Sequence, residues 1–120
     1  MATILLIEDT PANLALAEKL LRAAGHEVLT SDTAASGIAM ARDRTPDLVL
    51  LDLGLPDMDG WQALRRIREE EGDARLRVIA FTADAMVGDR ERTLAGGFDG
   101  YVSKPIDFAT FSKTVEGFLA

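Results

Sequence analysis

Five residues in this chain combine reactive or charged side chains with apolar runs that would bury their neighbours. Glu8 and Asp9 follow Ile4-Leu5-Leu6-Ile7, and Asp52 follows Leu48-Val49-Leu50-Leu51. Thr82 follows Val78-Ile79-Ala80-Phe81, and Lys104 follows Tyr101-Val102-Ser103. Taken singly, each has an ordinary reading. A strand-end Asp caps a turn, Glu8-Asp9 can precede a helix, Thr82 can be a strand residue or a cap, and a Lys is usually solvated. Brought together, they are a different object. Three carboxylates in one cleft repel, and burial drives one or more towards protonation. A hard divalent cation relieves that conflict, and Mg²⁺ suits few carboxylates, some water and a backbone carbonyl. Gly54, in the tight loop after Asp52, can offer that carbonyl. An oxygen of Asp52 left over can attack a phosphoryl group, giving an aspartyl phosphate. The Lys104 ammonium and the Thr82 hydroxyl can each engage an oxygen of the group in transfer, and Ala83 leaves room beside it.

Whether these residues meet depends on the elements that carry them. Unalternating runs such as Leu48 to Leu51 suit parallel strands buried on both faces. Strands are expected at 3–8, 26–31, at the run ending on Asp52, at 77–81 and at 100–103. Between them fall helical patterns. Thr10-Pro11 offers an N-cap and a first-turn proline, with Leu14, Ala17, Leu21 and Ala24 as the inner stripe and Gly25 as terminator. Leu16 and Leu20 lie beside that stripe, as rim packing or as a docking surface for a partner helix. Asp32-Thr33 caps a helix running to about Arg44. A third helix spans about 60–71, with Leu64 and Ile67 inward and Gly72-Asp73 as its stop. The segment from Asp84 to Gly97 is the weakest helix, because Gly88 lies inside it and each interior Gly costs roughly 1 kcal/mol relative to Ala. It is a candidate mobile element. The last helix, about 108–119, carries Phe108, Phe111, Val115 and Phe118 as a core stripe.

Five strand–helix units in strict alternation call for an α/β fold with helices on both faces of a parallel sheet. In the common doubly wound order for five units, 2-1-3-4-5, the four strands other than strand 2 are contiguous. Glu8-Asp9, Asp52, Thr82 and Lys104 then converge on the carboxyl edge of the sheet, where such folds bind ligands.

Composition narrows the classes. With 120 residues, a single domain covering 1–120 is expected, large enough to bury a core. The chain has no cysteine, which removes disulfides, thiolate metal sites and cysteine nucleophiles. A net charge of −7 disfavours direct DNA or RNA binding through a basic surface. Apolar runs stop at four or five residues, far below a membrane span, and the start turns acidic without a basic segment. A cytoplasmic location is the resulting expectation.

The motifs Ile7-Glu8-Asp9, Leu51-Asp52-Leu53-Gly54-Leu55-Pro56-Asp57-Met58-Asp59-Gly60, Phe81-Thr82-Ala83 and Tyr101-Val102-Ser103-Lys104-Pro105 resemble, in this order and spacing, the receiver domain of bacterial two-component response regulators. The resemblance runs from Ile4 to about Leu119. It implies a flavodoxin-like fold in the order 2-1-3-4-5, with Asp52 as phosphoacceptor from a sensor histidine kinase or a histidine phosphotransfer protein. It also implies Mg²⁺ held by Asp9, Asp52 and the Gly54 carbonyl, with Glu8 acting largely through water. Thr82 and Lys104 would clasp the phosphoryl oxygens, Tyr101 would be the aromatic that turns inward with Thr82, and Lys104–Pro105 would be a cis peptide. Two positions depart from frequent patterns: Glu8 stands where Asp is also common, and Gly54 places no side chain over the site. Open access of water to the phosphorylated Asp52 then leaves its lifetime partly to Asp84.

Two other function classes compete. One is a Mg²⁺-dependent phosphatase or phosphotransferase with an aspartyl nucleophile. Against it, Asp52-Leu53-Gly54 lacks the second acid two residues on that one large phosphatase family uses, and no inserted cap is present. The other is a pseudo-receiver that folds, stays unphosphorylated and binds a partner; the intact acid set argues against it. The resemblance further implies a signalling module that catalyses only its own phosphorylation and dephosphorylation, as a monomer or weak dimer acting on a downstream protein. The Met1 start favours a stand-alone protein.

Overall fold

The structure is a computed structural model, and it describes residues 2–70, 76–82 and 89–119. Five strands form one parallel sheet in the order β2-β1-β3-β4-β5, comprising β1 (Thr3–Ile7), β2 (Glu27–Ser31), β3 (Leu48–Asp52), β4 (Arg77–Thr82) and β5 (Gly100–Ser103). The α/β fold is the one the alternating pattern calls for, and the strand order is the common doubly wound one that the resemblance also implies. Among the described residues, five helices connect or follow the strands: α1 (Pro11–Ala23), α2 (Ala34–Arg44), α3 (Gly60–Glu70), α4 (Asp89–Ala95) and α5 (Phe111–Glu116).

Side chains alternate across each strand, so the continuous apolar runs feed two cores. Leu5, Ile7, Val49, Leu51, Val78 and Ala80 face Ile38 and Ala41 of α2 and Ala63, Leu64 and Ile67 of α3. Ile4, Leu6, Leu48, Leu50, Ile79 and Phe81 face Ala17 and Leu21 of α1 and Phe111 and Val115 of α5. Fully burying one such Leu, Ile or Phe contributes about 1.5–3 kcal/mol, so β3, buried at all five positions, is anchored from both sides.

Local signals set the helix ends. Gly25, at φ 97°, closes α1 with its N–H on the Arg22 carbonyl, while the His26 N–H returns to Leu21. That is the two-bond C-terminal arrangement a left-handed glycine permits. Thr33 caps α2 by accepting the Ser36 N–H at 3.2 Å. Thr10 stands at the N-cap of α1, but its hydroxyl makes no capping bond; Pro11 and the chain geometry start that helix. Leu20 packs at the rim of the α1 core, and Leu14 does the same.

Two expectations need correction. Ala24 is exposed, because the helix has ended beneath it. Phe108 is 70% exposed rather than core, and α5 begins at Phe111. The cause is Asp107, whose carboxylate accepts the Ala109 N–H and whose carbonyl accepts those of Thr110 and Phe111. Residues 108–110 are therefore spent in a turn, which takes Phe108 out of register with the helical stripe. The expected stop at Gly72-Asp73, and the roles given to Ala83, Asp84 and Gly88, lie outside the described residues. Of the weak fourth helix, Asp89–Ala95 is described as α4. No helix among the described residues is long and apolar enough to cross a membrane.

Candidate phosphoryl and metal site

The strand register brings the polar residues together. Ile7 pairs with Leu51, Asp52 with Phe81 and Thr82 with Ser103, so Glu8, Asp52, Thr82 and Lys104 all emerge at the carboxyl edge of adjacent strands. One carboxylate oxygen from each of Glu8, Asp9 and Asp52 lies within 4.8 Å of the others. Glu8 and Asp52 are buried, whereas Asp9 is exposed and forms the open side of the cluster.

Each member is held by something specific. The Glu8 N–H donates to the Ser31 carbonyl, which continues the β1–β2 ladder one residue beyond β1. Its Oε2 accepts the Thr10 N–H at 3.1 Å, fixing the carboxylate over the start of α1. Asp52 Oδ1 accepts the Gly54 N–H at 2.9 Å, a local bond that curls the chain as it leaves β3. Lys104 Nζ lies 2.5 Å from Glu8 Oε1 and 3.4 Å from Asp52 Oδ2, and it sits 4.8 Å from the centre of the Phe81 ring. The Lys104 N–H donates to the Thr82 carbonyl, tying the end of β5 to the end of β4, and the Lys104–Pro105 peptide is cis. Thr82 is buried, and Tyr101, one residue into β5, is half-buried against the α2–α3 core.

The electrostatics follow from this crowding. Burial, followed by the neighbouring Glu8 carboxylate, pushes the Asp52 carboxyl above its ordinary range; the Gly54 N–H and Lys104 draw it partly back. Glu8 Oε1 is fully buried and lacks a well-directed hydrogen bond; the Lys104 ammonium meets it at ion-pair distance but off that direction. A buried carboxylate oxygen with an unfilled acceptor position, beside a second carboxylate reluctant to ionise, suits a hard cation with oxygen ligands. The donor set therefore fits Mg²⁺.

The loop between β3 and α3 is also tightly held. The Gly60 N–H donates to the Leu53 carbonyl at 3.2 Å. A Cβ on Gly60 would lie 2.7 Å from the Leu53 Cα, so only glycine allows this closure. Leu55 is buried within the loop. Asp57, which stands in the sequence only as one residue of the Leu51–Gly60 motif, receives the N–H groups of Ala34 at 2.9 Å and Ala35 at 3.1 Å. Its partners lie more than 20 positions upstream, and no local pattern announces them. The close approach of Lys104 to Glu8 is equally unannounced by any local pattern, since the two residues stand near opposite ends of the chain.

Comparison with known proteins places these features in company. Residues 4–116 match the response regulator receiver domain. The polar-differentiation response regulator DivK of Brucella ovis is 34% identical over 117 residues, covering 98% of this chain and 95% of DivK. The receiver domain of a sensor histidine kinase from Pseudomonas aeruginosa PAO1, whose crystal structure has a magnesium ion coordinated in the active site cleft, is 35% identical. It superposes with a TM-score of 0.86 over 98% of this chain and 97% of that one. The chemotaxis response regulator CheY4 of Vibrio cholerae, at 24% identity, shares the fold with a TM-score of 0.90 over 99% of both chains.

Proposed function

The chain belongs to the response regulator receiver domain family, and we propose that it accepts a phosphoryl group on Asp52 from a phosphohistidine and thereby changes which protein it binds. The observation that carries this reading is the meeting of Glu8, Asp9 and Asp52 with Lys104 at one end of the sheet. In the transfer, an Asp52 carboxylate oxygen attacks phosphorus and an O–P bond forms. The N–P bond of the donor breaks, its electron pair stays on the imidazole nitrogen, and that nitrogen takes up a proton.

Asp9, Asp52 and the Gly54 backbone carbonyl would hold Mg²⁺, with Glu8 acting largely through water. When bound, the cation supplies positive charge to the carboxylates and to the phosphoryl oxygens as negative charge shifts among them. The protein's own groups do the rest. Lys104 leaves Glu8 and offers its ammonium to one phosphoryl oxygen, and the Thr82 hydroxyl engages another. Tyr101 then follows Thr82, and this couples the phosphoryl group to the surface around β5. The donor is a sensor histidine kinase or a histidine phosphotransfer protein, the reader a downstream protein, and the place of action the cytoplasm. The chain works as one receiver unit, monomeric or weakly dimeric, without direct DNA binding, and catalyses only its own phosphorylation and dephosphorylation.

Incubation with Mg²⁺ and acetyl phosphate tests this. A single phosphoryl adduct by intact mass, absent without Mg²⁺ and absent in Asp52→Asn, is the expected result. Steady turnover of phosphomonoesters would point instead to a phosphatase. No adduct from any donor would point to a pseudo-receiver.

A further inference from the structure

Asp57 is three residues beyond Gly54, on the loop that follows the phosphoacceptor, and its carboxylate is committed to another element. Oδ1 accepts the Ala34 N–H and Oδ2 accepts the Ala35 N–H, so both oxygens grip the first turn of α2. Charge-assisted bonds of this kind are about twice as strong as neutral ones, and they gain from the positive end of an 11-residue helix. Those two N–H groups hold the Asp57 carboxyl below its ordinary range.

Thr33 already supplies α2 with its own cap, on Ser36. The Asp57 grip therefore constrains the loop at least as much as it completes the helix. Among the described residues, the loop is otherwise tied by the bonds of Gly54 to Asp52, of Gly60 to Leu53 and of the Gln62 N–H to Asp59, by burial of Leu55 and by packing of Met58 against the α2–α3 core. Asp57 fixes its far bend to a helix that is packed on the sheet through Ala34, Ile38 and Ala41.

We propose that Asp57 is a positioning residue for the metal site: by clamping the loop to α2 it holds the Gly54 backbone in the orientation in which its carbonyl serves as a ligand. This rests on the reading of Glu8, Asp9, Asp52 and Gly54 as a Mg²⁺ site. Asp57 touches neither the metal nor the phosphoryl group. It acts through the six-residue path of main chain back to Asp52, much as outer residues orient metal ligands elsewhere.

The test is calorimetric titration of the full chain with Mg²⁺, in the parent, Asp57→Ala, Asp57→Asn and Thr33→Ala. Thermal melting and amide exchange over Leu53–Asp59 are measured in the absence of metal. Asp57→Ala is expected to weaken Mg²⁺ binding about 3–10-fold, below the 10–100-fold typical when a group touching a metal ligand is lost. It should also speed exchange in the loop before any metal is added. Asp57→Asn, with one oxygen left to accept, falls between. Thr33→Ala lowers the melting temperature through loss of the α2 cap, yet leaves Mg²⁺ affinity and loop exchange unchanged. Parent-like affinity in Asp57→Ala overturns the proposal, and so does a loss matched by Thr33→Ala at equal loss of melting temperature. A parent chain that binds no Mg²⁺ overturns the metal site itself, and that outcome is separable because it appears before any variant is compared.

Discussion

Lys104 reaches across the mouth of the site to Glu8, with Nζ 2.5 Å from Oε1, closer than its 3.4 Å approach to Asp52. The lysine thereby serves as the counter-cation of the carboxylate cluster, where it and a divalent ion would compete for the same oxygens. Replacing it separates two roles. Lys104→Met is expected to lower the stability of the metal-free protein by ~3 kcal/mol, near the low end of the cost of stripping one partner from a buried pair. It should also tighten Mg²⁺ binding about tenfold, a fraction of the ~4 kcal/mol that unit charges about 4 Å apart exchange at an effective dielectric near 20. Phosphoryl adduct formation should fall, because an oxygen of the transferring group loses its ammonium. Denaturant titration, calorimetry and intact mass read the three effects. Unchanged Mg²⁺ affinity would show that Lys104 and the cation do not compete.

The raised Asp52 carboxyl makes a statement about pH. Burial first, then Glu8, lifts it above its ordinary 3.8. A carboxyl raised on folding stabilises the native state only while protonated. Its contribution is complete below the unfolded value and disappears as pH climbs through the raised folded value. Asp52→Asn mimics the protonated form at all pH. The variant should therefore match the metal-free parent in acid and exceed it at neutral pH by about 1–3 kcal/mol, the cost of an under-compensated buried polar group. Saturating Mg²⁺ should shrink the gap. Urea melts of both proteins across that range check the sign, and a gap that widens on acidification would contradict it.

The sequence made the sheet readable because its information is local and redundant. Runs such as Leu48 to Leu51 mark strands buried on both faces, and Gly25 and Thr33 mark helix ends with one residue each. The converging residues followed from the strand order alone. What stayed hidden depended on side chains finding partners distant in sequence. Phe108 keeps perfect helical spacing with Phe111, but Asp107 captures the intervening N–H groups and turns it outward. Asp57 looks like loop punctuation until α2 is docked beside it. Glu8 and Lys104 each carried a role suited to a loaded site, and neither role reveals how they pair before loading.

Gly54 leaves one approach to Asp52 open. A Cβ built there would lie 3.7 Å from Asp52 Oδ1, an ordinary contact, so a side chain can start from this position without a clash at its Cβ. Gly54→Met should shield the phosphorylated Asp52 from water and slow loss of the adduct roughly 3–10-fold, about 1 kcal/mol in the barrier. The decay of the adduct after removal of acetyl phosphate measures it. Equal decay rates would remove Gly54 as a determinant of lifetime.

Trp61 offers a way to follow α4. Its ring meets Phe98 edge-on at 5.3 Å and fills the space that the missing side chain of Gly96 leaves at the end of α4. A Cβ on Gly96 would come within 2.3 Å of Cζ3 and 2.8 Å of Cε3. An indole cannot fold away as a flexible chain end would, so Gly96→Ala must displace either the ring or the helix terminus. Overpacking of this kind typically costs 1–3 kcal/mol. Because Trp61 directly follows Gly60, whose N–H closes the loop on Leu53, a displaced ring also loads the segment beside Asp52. The expected outcome is a shifted tryptophan emission in the resting protein, lower stability, and an altered rate of adduct formation. The lone tryptophan makes the assignment unambiguous. Shifted emission with an unaltered phosphorylation rate would confine the Trp61–Gly96 contact to packing and break the link from α4 to the site along that route.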